Sequence, residues 1–247
     1  MPRKRIFLFL LLFLNCFVNS AIGQTEPISE AKIDKLIKKA LADFRESNFE
    51  KSLIISRAAL NAATNSKNPT LISRSYNIIA ANYNELLEVD KAIFFYNKSL
   101  YYANKTKNDS IKYNLYNNLG NMYCFEKKQF EKGIQYYKKS IVYGLKIKDL
   151  SQVYFSNVNI VWAYFDIKKY EEGYPYLKYV NENKEKYGDE LTEIVVNMFN
   201  GIYHNFRNED SLADGFFIKA IKAGKDNTQK SDLAFAHLEY SRFLTKK

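Results

Sequence analysis

The chain has 247 residues, 47% of them hydrophobic and 26% charged, with 9 Gly and 4 Pro against 20 Tyr and 18 Phe. That balance excludes a disordered chain and suits a helical protein whose core is filled by large flat rings. The formal charge is +10; lysines occur along every predicted helix with no clustered arm, which reads as a solvated basic surface and not as a nucleic-acid site.

In chain order, residues 1–23 predict a signal peptide. Arg3, Lys4 and Arg5 form a positive start, Ile6 to Leu14 is an unbroken apolar run, and Ala21 and Gly23 fit a small-x-small cleavage site before Gln24. The run is short for a membrane span, which takes about 20 apolar residues. Lipidation at Cys16 is the rival processing route, but Asn15 before it is not a small residue. Residues 24–28 read as a short linker and residues 29–247 as one helical array. Removal of the leader leaves Cys124 as the sole cysteine, so no intramolecular disulfide can form.

The array repeats. Small or short residues beginning an apolar run recur at Ser52, Ala92, Gly133, Gly173 and Ala213, and the step from Ala92 to Gly133 is one residue longer than the others. A second, mostly small set lies at Ala40, Ala80, Gly120, Val161 and Gly201, ahead of the first by a constant offset except in the third unit, where one additional residue intervenes. The next step lands on Ser241. Two antiparallel helices approach closely only where one presents a small side chain. Large residues at spacings of three, four and seven surround these positions: Tyr76, Ile79, Tyr83, Val89 and Tyr96 in the second unit, Tyr116, Leu119, Tyr123, Phe130 and Tyr137 in the third, Ile160, Tyr164, Tyr170 and Leu177 in the fourth. Asn68-Pro69 predicts a helix start, Asp149 with Gln152 a capping box, and Gly188-Asp189 a helix end followed by a cap. Short polar turns at 126–128 and 167–169 join the two helices of a unit.

The stretch from Tyr116 through Leu119, Gly120 and Tyr123 to Phe130, Gly133, Tyr137 and Ser140 resembles the tetratricopeptide repeat. The resemblance covers about residues 29–247 and implies an all-α, right-handed superhelical solenoid of antiparallel helix pairs, here five pairs plus a final unpaired helix. It departs from the pattern at Asp43, where an aromatic is expected, at Val161, and in a period near 40 where 34 is usual. Long-period arrays behind a leader resemble the periplasmic N-terminal sensor region of bacterial two-component kinases and regulators.

Motifs for chemistry are missing from the sequence. His204 and His237 are the only histidines and do not form an i, i+4 pair, Gly224-Lys225-Asp226 lacks the rest of a phosphate loop, and no nucleophile elbow occurs. The chain therefore reads as a binding protein and not an enzyme, with no metal or cofactor. The resemblance implies that the first helix of each unit lines a concave face. The frame places Asn77, Asn84, Asn117, Asn121, Phe125, Trp162 and Phe165 there as candidate ligand residues, with Glu85, Cys124, Val158, Asp166, Met198, Ile202, Asn205 and Phe206 as neighbours. Amides can hold an extended peptide main chain, and Trp162 or Phe165 can anchor one apolar side chain.

The expectation is an exported protein- or peptide-binding module, the input part of a signalling system, periplasmic and tethered to the membrane if it belongs to a longer receptor. A stand-alone periplasmic scaffold for protein assembly is the alternative, and a hydrolase ranks last. No nucleic acid and no stable membrane insertion after leader cleavage are expected. A final helix without its partner predicts that part of the stripe Leu233, Ala234, His237, Leu238, Ser241 and Leu244 packs on unit five while the rest stays exposed, with self-association or fraying there. Mass spectrometry of the protein from its native host should find Gln24, free or cyclised, at the N-terminus; a chain retaining Met1, or lipidated at Cys16, would refute the leader assignment.

Overall fold

The structure, a computed structural model, describes residues 28–225 and 230–246. The expected signal peptide and the linker up to Pro27 lie outside these residues. The described residues form eleven α-helices and no strand: α1 Glu30–Arg45, α2 Phe49–Ser66, α3 Pro69–Glu85, α4 Val89–Ala103, α5 Asp109–Asn121, α6 Phe130–Lys146, α7 Leu150–Asp166, α8 Tyr170–Tyr187, α9 Glu190–Phe206, α10 Asp210–Lys225 and α11 Lys230–Leu244. Each odd-numbered helix up to α9 packs against the one after it, and the pairs stack into a right-handed solenoid. Helices of 13 to 18 residues account for the long period.

Local chemistry sets the helix ends. The Asn68 side chain accepts from the backbone N–H of Thr70 and Leu71, with Pro69 as the first helical residue. Asp189 and Thr192 form a reciprocal capping box at the start of α9. Asp149 accepts from the Gln152 N–H, but the box expected there is only half made: Gln152 Oε1 instead accepts from Tyr113 Oη at 2.6 Å. The Asp149 N–H that the box would have satisfied already donates to the Gly144 carbonyl at 3.0 Å, which frees the Gln side chain for the phenol. Gly188 ends α8 in an extended conformation, and a Cβ there would lie 2.5 Å from the Lys184 carbonyl oxygen.

The five turns inside the units share one geometry. Ser47, Leu87, Lys128, Lys168 and Asn208 all adopt left-handed backbone, with φ between 54° and 60°. The N–H of the next residue returns to a carbonyl near the end of the preceding helix, as from Glu88 to Tyr83 at 2.9 Å and from Lys169 to Tyr164 at 2.9 Å. None of the five is glycine, so each turn carries some strain.

Helix spacing follows the small positions. Ala40, Ala80, Val161, Ala92 and Ala213 are fully buried, as is Ser52, whose hydroxyl donates to the Ala40 carbonyl at 2.8 Å. A Cβ on Gly120 would meet the Tyr137 ring at 2.5 Å, and one on Gly201 the Phe217 ring at 2.9 Å. The exception at Val161 is compensated, because Leu177 stands in the fourth unit where the third and fifth carry those rings. Asp43, buried where an aromatic was expected, pairs with Lys51 at 2.6 Å.

The additional residue of the third unit becomes a π-helical turn, Met122–Glu126, that continues α5. The Lys127 N–H reaches the Met122 carbonyl at 3.0 Å, five residues back. A helix can absorb one inserted residue this way without losing the register of its ends. The turn drives Cys124 inward. It was expected on the concave face but is fully buried against Gly133, and burial pushes its thiol up to about 12.

On the final helix the expected stripe is split, and residues beside it reach the core. Ala236 and Phe243 are buried, Leu233 packs over Gly224, and Tyr240 Oη donates to Asp214 at 2.9 Å. Ala234, His237, Leu238, Ser241 and Leu244 are exposed. Two apolar stripes compete on α11, and the one with more aromatic area takes the core.

Two glycines should respond oppositely to alanine. In Gly133→Ala the new methyl meets Cys124 Sγ and backbone atoms at 3.0 Å, which should cost about 1–3 kcal/mol. In Gly215→Ala it meets nothing within 4 Å on an exposed helical site, which should add about 0.5–1 kcal/mol. Urea unfolding of both variants checks the signs.

Candidate peptide-binding groove

The odd-numbered helices present equivalent positions along one side of the array. Asn77, Asn117, Val158, Met198 and Leu238 form one such row; Ala81, Asn121, Trp162, Ile202 and Arg242 form the next. The first row changes from amide to apolar along the array; the second turns apolar at Trp162 and Ile202 and ends on Arg242. Two hollows lie along this side.

The smaller, of about 240 Å³, is lined by residues of α1, α3, α4 and α5, among them Phe44, Asn84, Glu85, Asn118 and Asn121. Asn121 Oδ1 is already engaged, accepting from the buried Tyr137 hydroxyl at 2.7 Å. Asn117 Oδ1 lies within 3.4 Å of Asn159 Nδ2 and 3.5 Å of Ser156 Oγ, both as donors. These two amides therefore use their acceptors within the array and leave N–H donors for a ligand. Asn77 is the reverse: its Oδ1 is buried with no hydrogen-bond partner among the described residues. An unmet acceptor of this kind costs about 1–3 kcal/mol until something donates to it.

The larger hollow, of about 790 Å³, lies among α7, α9 and α11, and its walls include Trp162, Phe165, Phe199, Phe206, Phe235 and Leu238. Trp162 is half-buried at its centre. It makes edge-to-face contacts with Phe125 at 6.2 Å, Phe199 at 5.5 Å and Phe235 at 5.8 Å, which ties together four successive units. Phe165 is buried behind it, only 6% exposed, against Phe199 and Tyr170. Asp166, Lys168, Glu239, Arg242 and Lys246 edge the hollow. Burial pushes the Asp166 carboxyl above its ordinary value, with Lys128 opposing and Glu239 adding to the shift. Arg242 is ion-paired with Glu239.

The candidates thus fall into three sets. Trp162 and Phe165 line one hollow, with Phe125 in edge contact with Trp162. Asn84 and Asn121 line the other. Asn77 and Asn117 line neither, and Val158 and Met198 are buried. Sequence reading missed Phe199, Phe235, Leu238 and Arg242. Stepping one repeat on from Val195, Met198 and Ile202 reaches the last three, so the repeat itself held that signal. His204 stacks on Phe216 at 5.2 Å and faces Glu209, as a helix-face residue does.

No protein-family model and no curated protein matches the chain. Solved structures do. BtubC (BKLC) from P. vanneervenii superposes with a TM-score of 0.68 at 18% identity, over 78% of this chain and 80% of that one. PilF of Pseudomonas aeruginosa gives 0.62 at 15%, over 87% and 97%. A Rap protein complexed with Competence and Sporulation Factor gives 0.59 at 14%, over 88% and 66%. The fold is a tetratricopeptide-type solenoid. At these identities the likeness speaks for the fold alone.

The Tyr137–Asn121 bond gives a test that needs no ligand. Asn121→Ala strands a buried hydroxyl and should cost about 1–3 kcal/mol. In a Tyr137→Phe background the same change should cost less, by at least ~0.5 kcal/mol, in urea unfolding. Additive effects would show that the bond carries no stability.

Proposed function

We propose that the chain is a protein- or peptide-binding module whose site is the groove formed by its odd-numbered helices. The observation that carries this reading is the aromatic hollow around Trp162, continuous in repeat frame with the amide-lined positions of units two and three. A ligand lying along the helices would set one apolar side chain against Trp162, Phe235 and Leu238. Its main chain would accept from the N–H donors of Asn117 and Asn121. Ion pairs at the edge would adjust encounter rate more than lifetime. The Rap structure supports the reading in one respect, since that comparable solenoid is complexed with Competence and Sporulation Factor. The finer part of the proposal is that the module is exported to the periplasm and serves as the input of a signalling system; it rests on the leader-like composition of residues 1–23 and on the resemblance to sensor arrays.

A peptide array read with intrinsic fluorescence tests the site, because Trp162 is the only Trp in the chain. Peptides of extended type with one large apolar residue should shift its emission on titration. Measured by anisotropy of a labelled copy of the best peptide, Trp162→Ala should weaken binding by about 2 kcal/mol or more. Leu238→Ser, at an exposed position, should weaken it with little change in unfolding midpoint. Peptide affinities unchanged in both variants, with only stability lowered in Trp162→Ala, would overturn the groove assignment.

A further inference from the structure

The basic excess of this chain is not evenly spread. Residues 24–87 carry 9 basic and 7 acidic side chains, residues 149–247 carry 13 and 15, and residues 88–148 carry 12 and 5. The middle segment therefore accounts for the whole positive balance of everything beyond the leader. All 12 of its cations are lysine.

Six of these lysines form a grid on the second helices of units two and three. Lys91, Lys98 and Lys105 on and just beyond α4 are seven residues apart, and Lys132, Lys139 and Lys146 on α6 repeat them one unit on. Seven residues of helix rise about 10 Å, so each row keeps one face. All six are exposed. Each ammonium rests over an aromatic ring, from Lys132 above Tyr123 at 3.9 Å to Lys139 above Tyr116 at 5.7 Å. That contact holds the charge low on the surface while its N–H donors face outward. Asp90 and Glu131, the nearest acids on these helices, are ion-paired with Lys127 and Lys169 outside the grid. Within it, only Lys91 has a carboxylate partner among the described residues, Glu88 at 3.1 Å. The equivalent positions in other units are mixed, such as Ala58, Glu172 and Leu212, so the grid belongs to units two and three.

Apolar side chains lie beside the rows: Phe94 and Tyr101 on α4 are 54% and 57% exposed, and Val142 and Leu145 on α6 are 52% and 53%. We infer that this outer face of α4 and α6 docks on the surface of an anionic phospholipid bilayer, the lysines attracting the headgroups and Phe94 and Tyr101 settling among them. Two features favour a bilayer over a polynucleotide. The cations are all Lys, a point charge suited to a fluid anionic surface, where fixed phosphates are better gripped by Arg forks. The exposed aromatic and aliphatic side chains suit an interface that is part apolar. No helix among the described residues is long and apolar enough to cross a membrane, so the contact would be peripheral. Its lysines and exposed apolar side chains line neither hollow, and it does not depend on the function proposed for the groove.

Vesicle co-sedimentation of the full chain tests it, with phosphatidylcholine vesicles set against mixed phosphatidylcholine–phosphatidylglycerol vesicles so that any apolar attraction of the leader is common to both. A preference for the anionic vesicles is expected, falling as salt rises. Lys98→Gln and Lys139→Gln should each reduce that preference about fivefold, equivalent to ~1 kcal/mol per lysine. Lys178→Gln, outside the grid, should leave it unchanged, and Phe94→Ser should reduce the binding that survives high salt. Circular dichroism verifies that each variant stays folded. Equal binding to both vesicles, or grid variants indistinguishable from Lys178→Gln, would overturn the inference. So would binding to duplex DNA that the grid variants lose while their vesicle preference is intact.

Discussion

In each helix pair a small or matched side chain of the first helix lies against a larger one of the second, and that close approach sets where everything else sits. Gly120 has no room for a methyl because the Tyr137 ring occupies it, and Gly201 stands in the same relation to Phe217. Val161 is tolerated because Leu177 replaces the ring. The interhelical distance is therefore a property of residue pairs and not of single positions, as close packing requires. With the distance fixed, the rings of the pair close its outer seam. Tyr83, Phe95 and Tyr76 stack in succession in unit two, at 5.4 and 6.0 Å; in unit three Tyr123 stacks on Tyr136 at 5.3 Å and Tyr116 lies tilted against Tyr136 at 6.1 Å.

The groove inherits its character from the same arrangement. Equivalent positions on successive first helices lie side by side, so a change of residue type along the sequence becomes a gradient in space. Amides occupy units two and three, and apolar rings occupy units four to six. The π turn at Met122–Glu126 sits where these halves meet. It carries Cys124 into the core and leaves Phe125 in edge contact with Trp162. One inserted residue thus joins the amide-lined part of the groove to the aromatic part.

The two helix sets divide the labour between faces. First helices give up polar acceptors to the array, as Asn121 does to Tyr137. Second helices turn their charges outward, with lysines seated on rings that already close the seam between units. Ring stacking and lysine placement are thus linked, because a ring half-covered by the preceding unit exposes the face over which an ammonium can rest.

Much of the fold was legible in the chain itself. The regular repeat interval, the small positions at Gly120 and Gly133, and the caps at Asn68 and Asp189 follow from local chemistry and from the need of paired helices to approach. The candidate groove was legible in part: Trp162, Phe125 and Phe165 fall in the frame that the repeat defines. What the sequence left open was set by contacts between residues far apart in the chain. Periodicity on α11 offered two apolar stripes, and only the area available on α10 chose Ala236 and Phe243 over Leu238 and Leu244. The additional residue of unit three could have lengthened a turn; instead a π turn kept both helix ends in register, and with it Cys124 moved from the face to the core. The sequence by itself determined repeat length, helix pairing and the residues at each close approach, because those depend on spacing and side-chain size. Tertiary structure alone decided which amide oxygens were already taken, which rings met at Trp162 and which lysines shared a face, because each depends on how neighbouring units stack.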